Sequence, residues 1–457
     1  MAAVIILLLT AALAVAQPIE PDLQLGLERL ANTGSVLMIA AHPDDENTAL
    51  LGHLALGRRL RTGYLSLTRG EGGQNVIGSE QGHLLGVIRE QELLAARRID
   101  GAEQYFTSAA DFGYSKTAEE ALQKWNREKI LGEIVQVIRQ FQPDVVILRW
   151  TGTPADRHGQ HQASGILGLE AVKAASDPAR YSGPQPPWTT KRVFFFRNKG
   201  GALAIETGAY DPLLGYSYAQ LGGIASSQHR SQAMGAPQVV GQAKVFLDPV
   251  EPQPGLTDLM SGIETGPSRL APAAANALHK AISAFQPKRP EETIPALLEV
   301  RRILRSLSGE LVARKLRELD DIVLRCAGMW MDAAAETPHG TAQAIVPVHV
   351  KVINRSPIAM RLEAVDIEGA PEIKPALLPE NMPVQQVIRW PVRHRVPLAH
   401  FRFRIGNEPI LGTRPIVYRY VDKLLGERTQ PFTIVPPVSI QFTDHALLFR
   451  DTTPKSV

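Results

Sequence analysis

Runs of apolar residues alternate with amphipathic segments over the first half of the chain. The apolar runs predict buried strands at residues 35–40, 64–68, 145–148 and 193–196. Helical spacing and good helix formers predict helices at residues 48–60, 87–99, 117–140 and 160–174. Strands that alternate with helices predict an α/β fold, with a Rossmann-like, mostly parallel sheet and helices on both of its faces.

The pattern changes twice after this region. Helical periodicity continues at residues 271–285 and 293–329, and Pro287 and Pro290 mark the break between these segments. Further on, apolar and polar positions alternate as in half-buried strands, at residues 345–352, 386–390, 401–405 and 416–420. We therefore predict that a helical segment and a C-terminal all-β sandwich domain follow the α/β domain.

The start of the chain has the features of a secretory signal. Residues 4–9 are an unbroken apolar run, and Ala14-Val15-Ala16 is a small-x-small cleavage site. The run is short for a membrane span, and the alternative is an uncleaved N-terminal anchor. We predict a periplasmic or secreted protein with a signal peptide at residues 1–16. The α/β domain is then expected at 17–240, a helical connector at 241–334 and the β-sandwich at 335–457.

Composition narrows the class of protein. The chain has 457 residues, of which 44% are hydrophobic and 21% charged, as in folded multidomain proteins. Its net charge is only +3, with acidic and basic residues interspersed, so no nucleic-acid partner is expected. Because Cys326 is the only cysteine, neither an internal disulfide nor a thiolate metal cluster can form.

One imidazole and three carboxylates directly follow the first predicted strand. They belong to the run Ala41-His42-Pro43-Asp44-Asp45-Glu46, in which Pro43 cannot donate to a sheet ladder. Burying negative charge beside an apolar strand is unfavourable unless a positive charge lies next to it, so we expect a divalent metal ion there. Neighbouring side chains point in different directions, so one of Asp44 and Asp45 can bind the metal while the other handles protons. Spacing leaves the choice between them open.

A second polar cluster follows the strand at 145–148 and precedes a helix. Its sequence is Asp156-Arg157-His158-Gly159-Gln160-His161. His158 and His161 can both approach a metal, or one can bind it while the other serves the substrate. Ligand sites of parallel sheets lie beyond the carboxyl ends of the strands, where both clusters are expected. Two imidazoles and one carboxylate suit catalytic Zn²⁺, and Fe²⁺ would suit the same ligands.

These two clusters resemble the signature motifs of the PIG-L/LmbE-like zinc-dependent N-acetylglucosaminyl deacetylases. The resemblance covers residues 36–230 and includes Gly70-Glu71-Gly72-Gly73-Gln74-Asn75, Arg89 and Glu92-Leu93. Many relatives have Pro-Asp between the two histidines, where this chain has Gly159-Gln160. An acidic residue there could raise the pKa of His158, which Gln160 cannot do.

The resemblance implies a role for each candidate residue. It implies that His42, Asp45 and His161 bind Zn²⁺ and that Asp44 is the general base. It also implies that His158 stabilises the oxyanion or protonates the leaving amine. Two further residues are implied to face the sugar, Arg89 and Asp111.

Two other features have open interpretations. Glu46 is a candidate for orienting His42 and for an acid favoured at a helix N-terminus, and the two interpretations are compatible. Residues 227–232 are dense in hydrogen-bonding groups and are candidates for lining a polyol site.

The combined reading is an exported metal-dependent amidohydrolase. We predict that it deacetylates an N-acetylated amino sugar or N-acetylglucosaminyl conjugate by metal-activated attack of water on the amide. One alternative is an amidase acting on another sugar-linked amide. The other is a non-catalytic, metal-dependent carbohydrate-binding protein, although such a protein has no need of a base such as Asp44. Beyond the possible N-terminal anchor, no integral membrane span is expected.

Overall fold

The chain divides into two compact units in a computed structural model that describes residues 23–393 and 397–438. The first unit comprises Glu20–Lys288 and Pro295–Leu319, and the second comprises Arg289–Ile294 and Asp320–Val457, each within the described residues. The predicted signal peptide and its cleavage site lie outside the described residues. The boundaries of the four predicted segments stay predictions.

Helices occur throughout the first unit and continue into the second. Their bounds are α1 (Leu23–Ala31), α2 (Thr48–Gly52), α3 (His83–Asp100), α4 (Ala118–Lys124), α5 (Arg127–Phe141), α6 (Gly159–Ser176), α7 (Tyr218–Ser226), α8 (Pro272–Ser283), α9 (Ile294–Arg305) and α10 (Glu310–Cys326). A π-helical turn, His53–Gly57, extends α2. Within residues 23–393 and 397–438, no helix is both long and apolar enough to cross a membrane.

Strands build one large sheet in the first unit and two main sheets in the second. Those of the first unit are β1 (Ser35–Ala40), β2 (Arg61–Ser66), β3 (Glu103–Phe106), β4 (Val145–Leu148), β5 (Arg192–Arg197), β6 (Leu203–Glu206), β7 (Tyr210–Asp211), β8 (Tyr216–Ser217) and β9 (Lys244–Pro249). Those of the second are β10 (Trp330–Ala335), β11 (His339–Thr341), β12 (Ile345–Ile353), β13 (Met360–Ile367), β14 (Ala376–Leu378), β15 (Val384–Pro391), β16 (Leu398–Ile405), β17 (Glu408–Pro415), β18 (Val417–Asp422), β19 (Gly426–Pro431) and β20 (Thr433–Val435).

The large sheet has seven strands in the order β3-β2-β1-β4-β5-β9-β6. Strands β3, β2, β1, β4 and β5 run parallel to their neighbours, whereas β9 is antiparallel to β5 and β6. The sheet is thus mixed, with a parallel centre, and the prediction of an α/β domain is confirmed. Central strands β1 and β4 have the predicted bounds because both are unbroken apolar runs buried on both faces.

Alternate residues of β1 enter two separate cores. Leu37 and Ile39 pack in the core that also holds apolar residues of α5 and α6. Val36 and Met38 point to the opposite core, which holds apolar residues of α2 and α3. Successive residues of a strand point to opposite faces of the sheet, so both sets of apolar side chains need a cover. Helices provide it on both faces.

Two predicted helices are each interrupted. The helix predicted at 117–140 is two helices, α4 and α5, because Asn126 adopts a left-handed conformation with φ of 56°. Trp125, just before this break, is buried and donates its indole N–H to the carbonyl of Ala110 at 2.9 Å. The segment predicted at 293–329 is α9 and α10, with Gly309 at φ 111° between them.

The second unit contains the predicted all-β region. One sheet has the order β15-β12-β10-β18-β19 and the other β14-β13-β16-β17. In β12 the buried positions are Val346, Val348, Val350 and Val352, which confirms the alternation seen in the sequence.

His53 makes the stability of the first unit sensitive to acid. Its ring packs edge-on against Tyr218, with 5.0 Å between ring centroids. Burial, aided by the charge of Arg58, lowers the pKa of His53 from 6.5 to about 4. The unfolded state therefore binds more protons than the folded state between these pKa values, so stability is lost as pH falls through this window.

We expect His53→Gln to reduce the dependence of the urea midpoint on pH across that window. His279→Gln, which changes an exposed histidine of α8, is the matched control and should retain the wild-type slope. An unchanged slope in His53→Gln would mean that other groups cause the acid sensitivity.

Candidate active site

The turn after β1 places three acidic side chains in different directions. Asp45 Oδ2 accepts the backbone N–H groups of Ala41 and His42, at 3.1 and 2.8 Å, so this carboxylate is fixed against the turn. Asp44 has a φ of 112°, which is rare for a non-glycine residue, and its carboxylate is not one of the groups that Asp45 fixes in the turn. Asn47 then caps α2 by accepting the N–H of Leu50.

His42, Asp45 and His161 form a cluster suited to a metal ion. One ligand atom from each residue lies within 4.8 Å of the others. His42 Nδ1 is 3.3 Å from Asp45 Oδ2, and His161 Nε2 is 3.4 Å from Asp45 Oδ1. Two imidazole nitrogens and a carboxylate are a donor set that fits a divalent cation with an open coordination position. The two motifs meet here because β1 and β4 are adjacent in the sheet.

The charges of the cluster favour a bound cation. Burial opposes ionisation of Asp45, but His161 and His42 hold the pKa of its carboxyl well below the usual range. Burial lowers the pKa of His161 to about 4, so its ring is neutral and offers a lone pair. For His42, burial is outweighed by the hydrogen bond and charge of Asp45, which raise its pKa to about 9. A metal ion at Nδ1 would take the place of that proton.

Asp44 lies in the same cleft but outside the ligand cluster. Burial, together with the charge of Asp45, raises its pKa to about 7, while His42 opposes the shift. A carboxylate whose pKa lies near neutral pH suits a general base.

Glu46 connects the turn to a buried ionic network. Its Oε2 accepts the backbone N–H of Asp44 at 2.9 Å. Its Oε1 accepts from His229 Nε2 at 2.8 Å and from Arg97 at 3.1 Å. Arg97 also donates to Asp100 at 2.5 Å. Glu46 therefore contacts the backbone of Asp44, His229 and Arg97 rather than His42, and it stands directly before Asn47, the N-cap of α2. It braces the strained backbone of Asp44, a role that sequence reasoning missed.

His158 caps the N-terminus of α6. Its Nδ1 lies 3.3 Å from the backbone N–H of Ser115, 3.4 Å from that of Gln160 and 3.3 Å from the carbonyl oxygen of Ser115. Its ring stacks between those of Tyr114 and His42, at centroid distances of 5.1 and 5.2 Å. Burial and the charge of His42 lower the pKa of His158, so the ring is neutral at pH 7.

The side chain of Gln160 turns away from His158. It is fully buried and reaches His42 and Asp111 instead. Only the backbone N–H of Gln160 contacts the His158 ring, which agrees with the expectation that Gln160 does not raise the pKa of His158.

Arg89 lies against the glycine-rich loop after β2. Its guanidinium donates to the carbonyl of Gln74 at 2.8 Å, and its Nε has no hydrogen-bond partner among residues 23–393 and 397–438. A Cβ at Gly73 would collide with this guanidinium, which explains a glycine there. Only 3% of Arg89 is exposed, so it is held at the cleft rather than solvated.

A cleft of about 340 Å³ joins these groups. Every residue predicted for the site lines it, namely His42, Asp44, Asp45, Arg89, Asp111, His158 and His161. The remaining lining residues are Gly72, Gly73, Gln74, Gly113, Tyr114 and Gln232. Of the candidates at 227–232, Gln232 thus faces the cleft, whereas His229 is buried behind it. The individual roles stay predictions.

Fold and site together define an α/β protein with a cluster of potential metal ligands beyond the carboxyl ends of its parallel strands. Residues 37–172 match the family described as "PIG-L: GlcNAc-PI de-N-acetylase". The match lies within the first unit and confirms the resemblance to this family that the sequence motifs indicate.

Three similar proteins carry names that describe deacetylases. A diacetylchitobiose deacetylase of Thermococcus kodakarensis is 33% identical over 145 residues, which are 31% of this chain and 51% of that protein. A 1D-myo-inositol 2-acetamido-2-deoxy-alpha-D-glucopyranoside deacetylase of Kineococcus radiotolerans is 28% identical over 210 residues, or 39% and 56% of the two chains. The chain thus spans about half the length of the curated relatives it matches. A solved N,N'-diacetylchitobiose deacetylase from Pyrococcus horikoshii has a TM-score of 0.35 and 22% identity, covering 46% of this chain and 74% of that one.

Proposed function

We propose that this protein is a metal-dependent hydrolase that removes the acetyl group from an N-acetylated amino sugar or N-acetylglucosaminyl conjugate. The observation that carries the proposal is the placement of Asp44 in one cleft with the cluster of His42, Asp45 and His161. The names of the similar proteins, which describe deacetylation of acetamido sugars, support the same substrate class.

His42, Asp45 and His161 would hold the metal, for which we propose Zn²⁺. Fe²⁺ suits the same donors. A bound divalent metal supplies Lewis acidity, which lowers the pKa of bound water and polarises a carbonyl. Asp44 accepts the proton of the attacking water at its carboxylate and returns it to the nitrogen of the leaving amine.

His158 is suited to stabilise the oxyanion. The N–H groups of Ser115 and Gln160 approach its Nδ1 at 3.3 and 3.4 Å, and the carbonyl oxygen of Ser115 also lies 3.3 Å from this atom. We propose that the two N–H groups prevail, so that the single proton of the neutral ring resides on Nε2. An Nε2–H donor stabilises the negative charge that develops on the amide oxygen, at roughly 3–4 kcal/mol per donor. Of the two roles that the sequence left open, we therefore propose oxyanion stabilisation. Arg89 and Asp111 would orient the sugar, Asp111 by accepting from a hydroxyl group.

The remaining proposals concern the context of the catalytic domain. We propose that residues 1–16 are an export signal and that the protein is periplasmic or secreted. We also propose that the catalytic domain covers residues 17–240, that 241–334 is a helical connector, and that 335–457 is a β-sandwich.

The direct test pairs metal analysis with acetate release from N-acetylglucosamine derivatives, chitooligosaccharides and peptidoglycan fragments. Wild-type protein should bind one metal ion per chain and release acetate. His161→Ala should lower metal affinity and acetate release together, because it removes one of three ligands. His279→Ala, on the exposed side of α8, should change neither quantity.

Two outcomes would contradict the proposal. Release of an acid other than acetate would indicate an amidase for another sugar-linked amide. Metal-dependent glycan binding without turnover on any substrate would indicate a binding protein.

A further inference from the structure

Gln160 lies between the metal cluster and the substrate side of the cleft. It is 0% exposed. Its Oε1 is 3.0 Å from His42 Nε2, while its Nε2 is 3.0 Å from Asp111 Oδ1 and 2.8 Å from the carbonyl oxygen of Gly113. Both ends of one buried amide are therefore in hydrogen-bond contact.

The orientation of this amide follows from its partners. The carboxylate of Asp111 and the carbonyl of Gly113 can only accept, so the NH₂ group must face them. The amide oxygen then faces His42 and can only accept. His42 must therefore carry a proton on Nε2.

This proton determines which nitrogen of His42 can bind a metal. A neutral imidazole carries one N–H, so with Nε2 protonated the lone pair is on Nδ1. Nδ1 is the atom that faces the cluster, 3.3 Å from Asp45 Oδ2. Hydrogen bonding at the distal nitrogen also orients the ring and strengthens it as a ligand.

We propose that Gln160 is a positioning residue with two functions: it fixes the metal-binding tautomer of His42, and it orients Asp111 toward the substrate. The proposal rests on the proposed function of the cleft. It explains why an amide suits this position, because an amide accepts from His42 with its oxygen and donates to Asp111 with its nitrogen.

Two substitutions separate the two functions. Gln160→Leu has nearly the same length but neither accepts nor donates, so both functions should fail. Gln160→Glu can still accept from His42, yet it places a carboxylate beside the carboxylate of Asp111 and the carbonyl of Gly113. Gln160→Glu should therefore retain metal binding and impair only the substrate side.

Zn²⁺ affinity, measured by competition with a chromophoric chelator, is the readout that does not depend on activity. We expect Gln160→Leu to weaken Zn²⁺ binding about 10- to 100-fold. Gln160→Glu should bind Zn²⁺ at least as tightly as wild type, with KM for the acetylated sugar raised about 3- to 10-fold, the worth of one neutral hydrogen bond. The double variant Gln160→Glu/Asp111→Asn exchanges the two groups, so the amide of residue 111 can donate to the new carboxylate of residue 160. This hydrogen bond should restore the orientation of the side chain at position 111. KM of the double variant should therefore be lower than KM of Asp111→Asn alone.

Gln162→Leu is the matched control, because it makes the same change two residues further along α6, where the side-chain amide donates to the carbonyl of Arg157. It should retain wild-type Zn²⁺ affinity. Equal Zn²⁺ affinity in Gln160→Leu and wild type would overturn the tautomer function, and an unchanged KM in Gln160→Glu would overturn the substrate function. Failure of the wild-type protein to bind Zn²⁺ would instead contradict the proposed function itself. Circular dichroism of each variant separates unfolding from loss of a ligand.

Discussion

Replacing Asp44 by Asn is expected to leave the metal in place and to remove most of the turnover. Asp44 lies outside the set of ligand atoms formed by His42, Asp45 and His161. Asparagine has nearly the same shape but cannot take a proton from the attacking water. General-base catalysis contributes about 10²- to 10⁴-fold, so kcat should fall by that factor while Zn²⁺ content stays at the wild-type value. Initial rates of acetate release and metal analysis on the same samples measure both.

Asp177→Asn is the matched control for this variant. Asp177 is exposed at the end of α6, where its carboxylate accepts the N–H of Ala179. We expect wild-type kcat and metal content there. If Asp44→Asn kept full turnover with metal bound, another group would be the base. If it lost the metal as well, Asp44 would be a ligand, and the division of roles with Asp45 would be wrong.

The centre of the fold could be predicted because its signals are local. Strands β1 and β4 are unbroken apolar runs, and their observed bounds equal the predicted ones. Strands β6 and β9, which extend the sheet in the antiparallel sense, were missed. Residues of β9 alternate between buried and partly buried positions, and such short amphipathic stretches give little signal without knowledge of the neighbouring strand.

The meeting of the two motifs in one cleft could be predicted for a topological reason, whereas Arg89 and Asp111 were placed there only by the family resemblance. Each motif follows a strand, and the two strands, β1 and β4, are adjacent in the sheet. Because ligand sites lie beyond the carboxyl ends of parallel strands, placing each motif after a strand was enough to predict that the two motifs are close in space. The contacts behind the cleft could not be predicted in this way. Glu46 and His229 are separated by 183 positions, and Gln160 and His42 by 118. Periodicity carries no information about such pairs.

Gln160 shows that neighbours in the sequence need not share contacts. It stands two positions after His158, at the start of α6, and only its backbone N–H contacts the His158 ring. Its side chain instead contacts His42, which belongs to the other motif. The hydrogen bond of Glu46 to the backbone N–H of Asp44 likewise places Glu46 behind Asp44 rather than in the cluster of His42, Asp45 and His161.

The ionic network behind Asp44 is expected to contribute strongly to stability. Arg97, Glu46 and Asp100 are buried, and Arg97 donates to both carboxylates. Burial alone would raise the pKa of Glu46, but His229 and Arg97 hold it below the usual range. Burial raises the pKa of Asp100 to about 6 even with Arg97 beside it. The two carboxylates therefore depend on the guanidinium.

Replacing Arg97 by Met is expected to destabilise the first unit by about 3–5 kcal/mol, the usual cost of leaving buried charges without their partner. Urea unfolding followed by hydrogen exchange of peptides from α3 and β1 reports on this unit alone. Arg98→Met is the matched control, because the next residue of α3 is an exposed arginine, and its free energy of unfolding should change by less than about 0.5 kcal/mol. Equal unfolding midpoints for Arg97→Met and Arg98→Met would show that the network adds little stability. In Arg97→Met protein that remains folded, Glu46 has one fewer donor, so the backbone of Asp44 is braced less firmly and kcat should fall while Zn²⁺ affinity is retained.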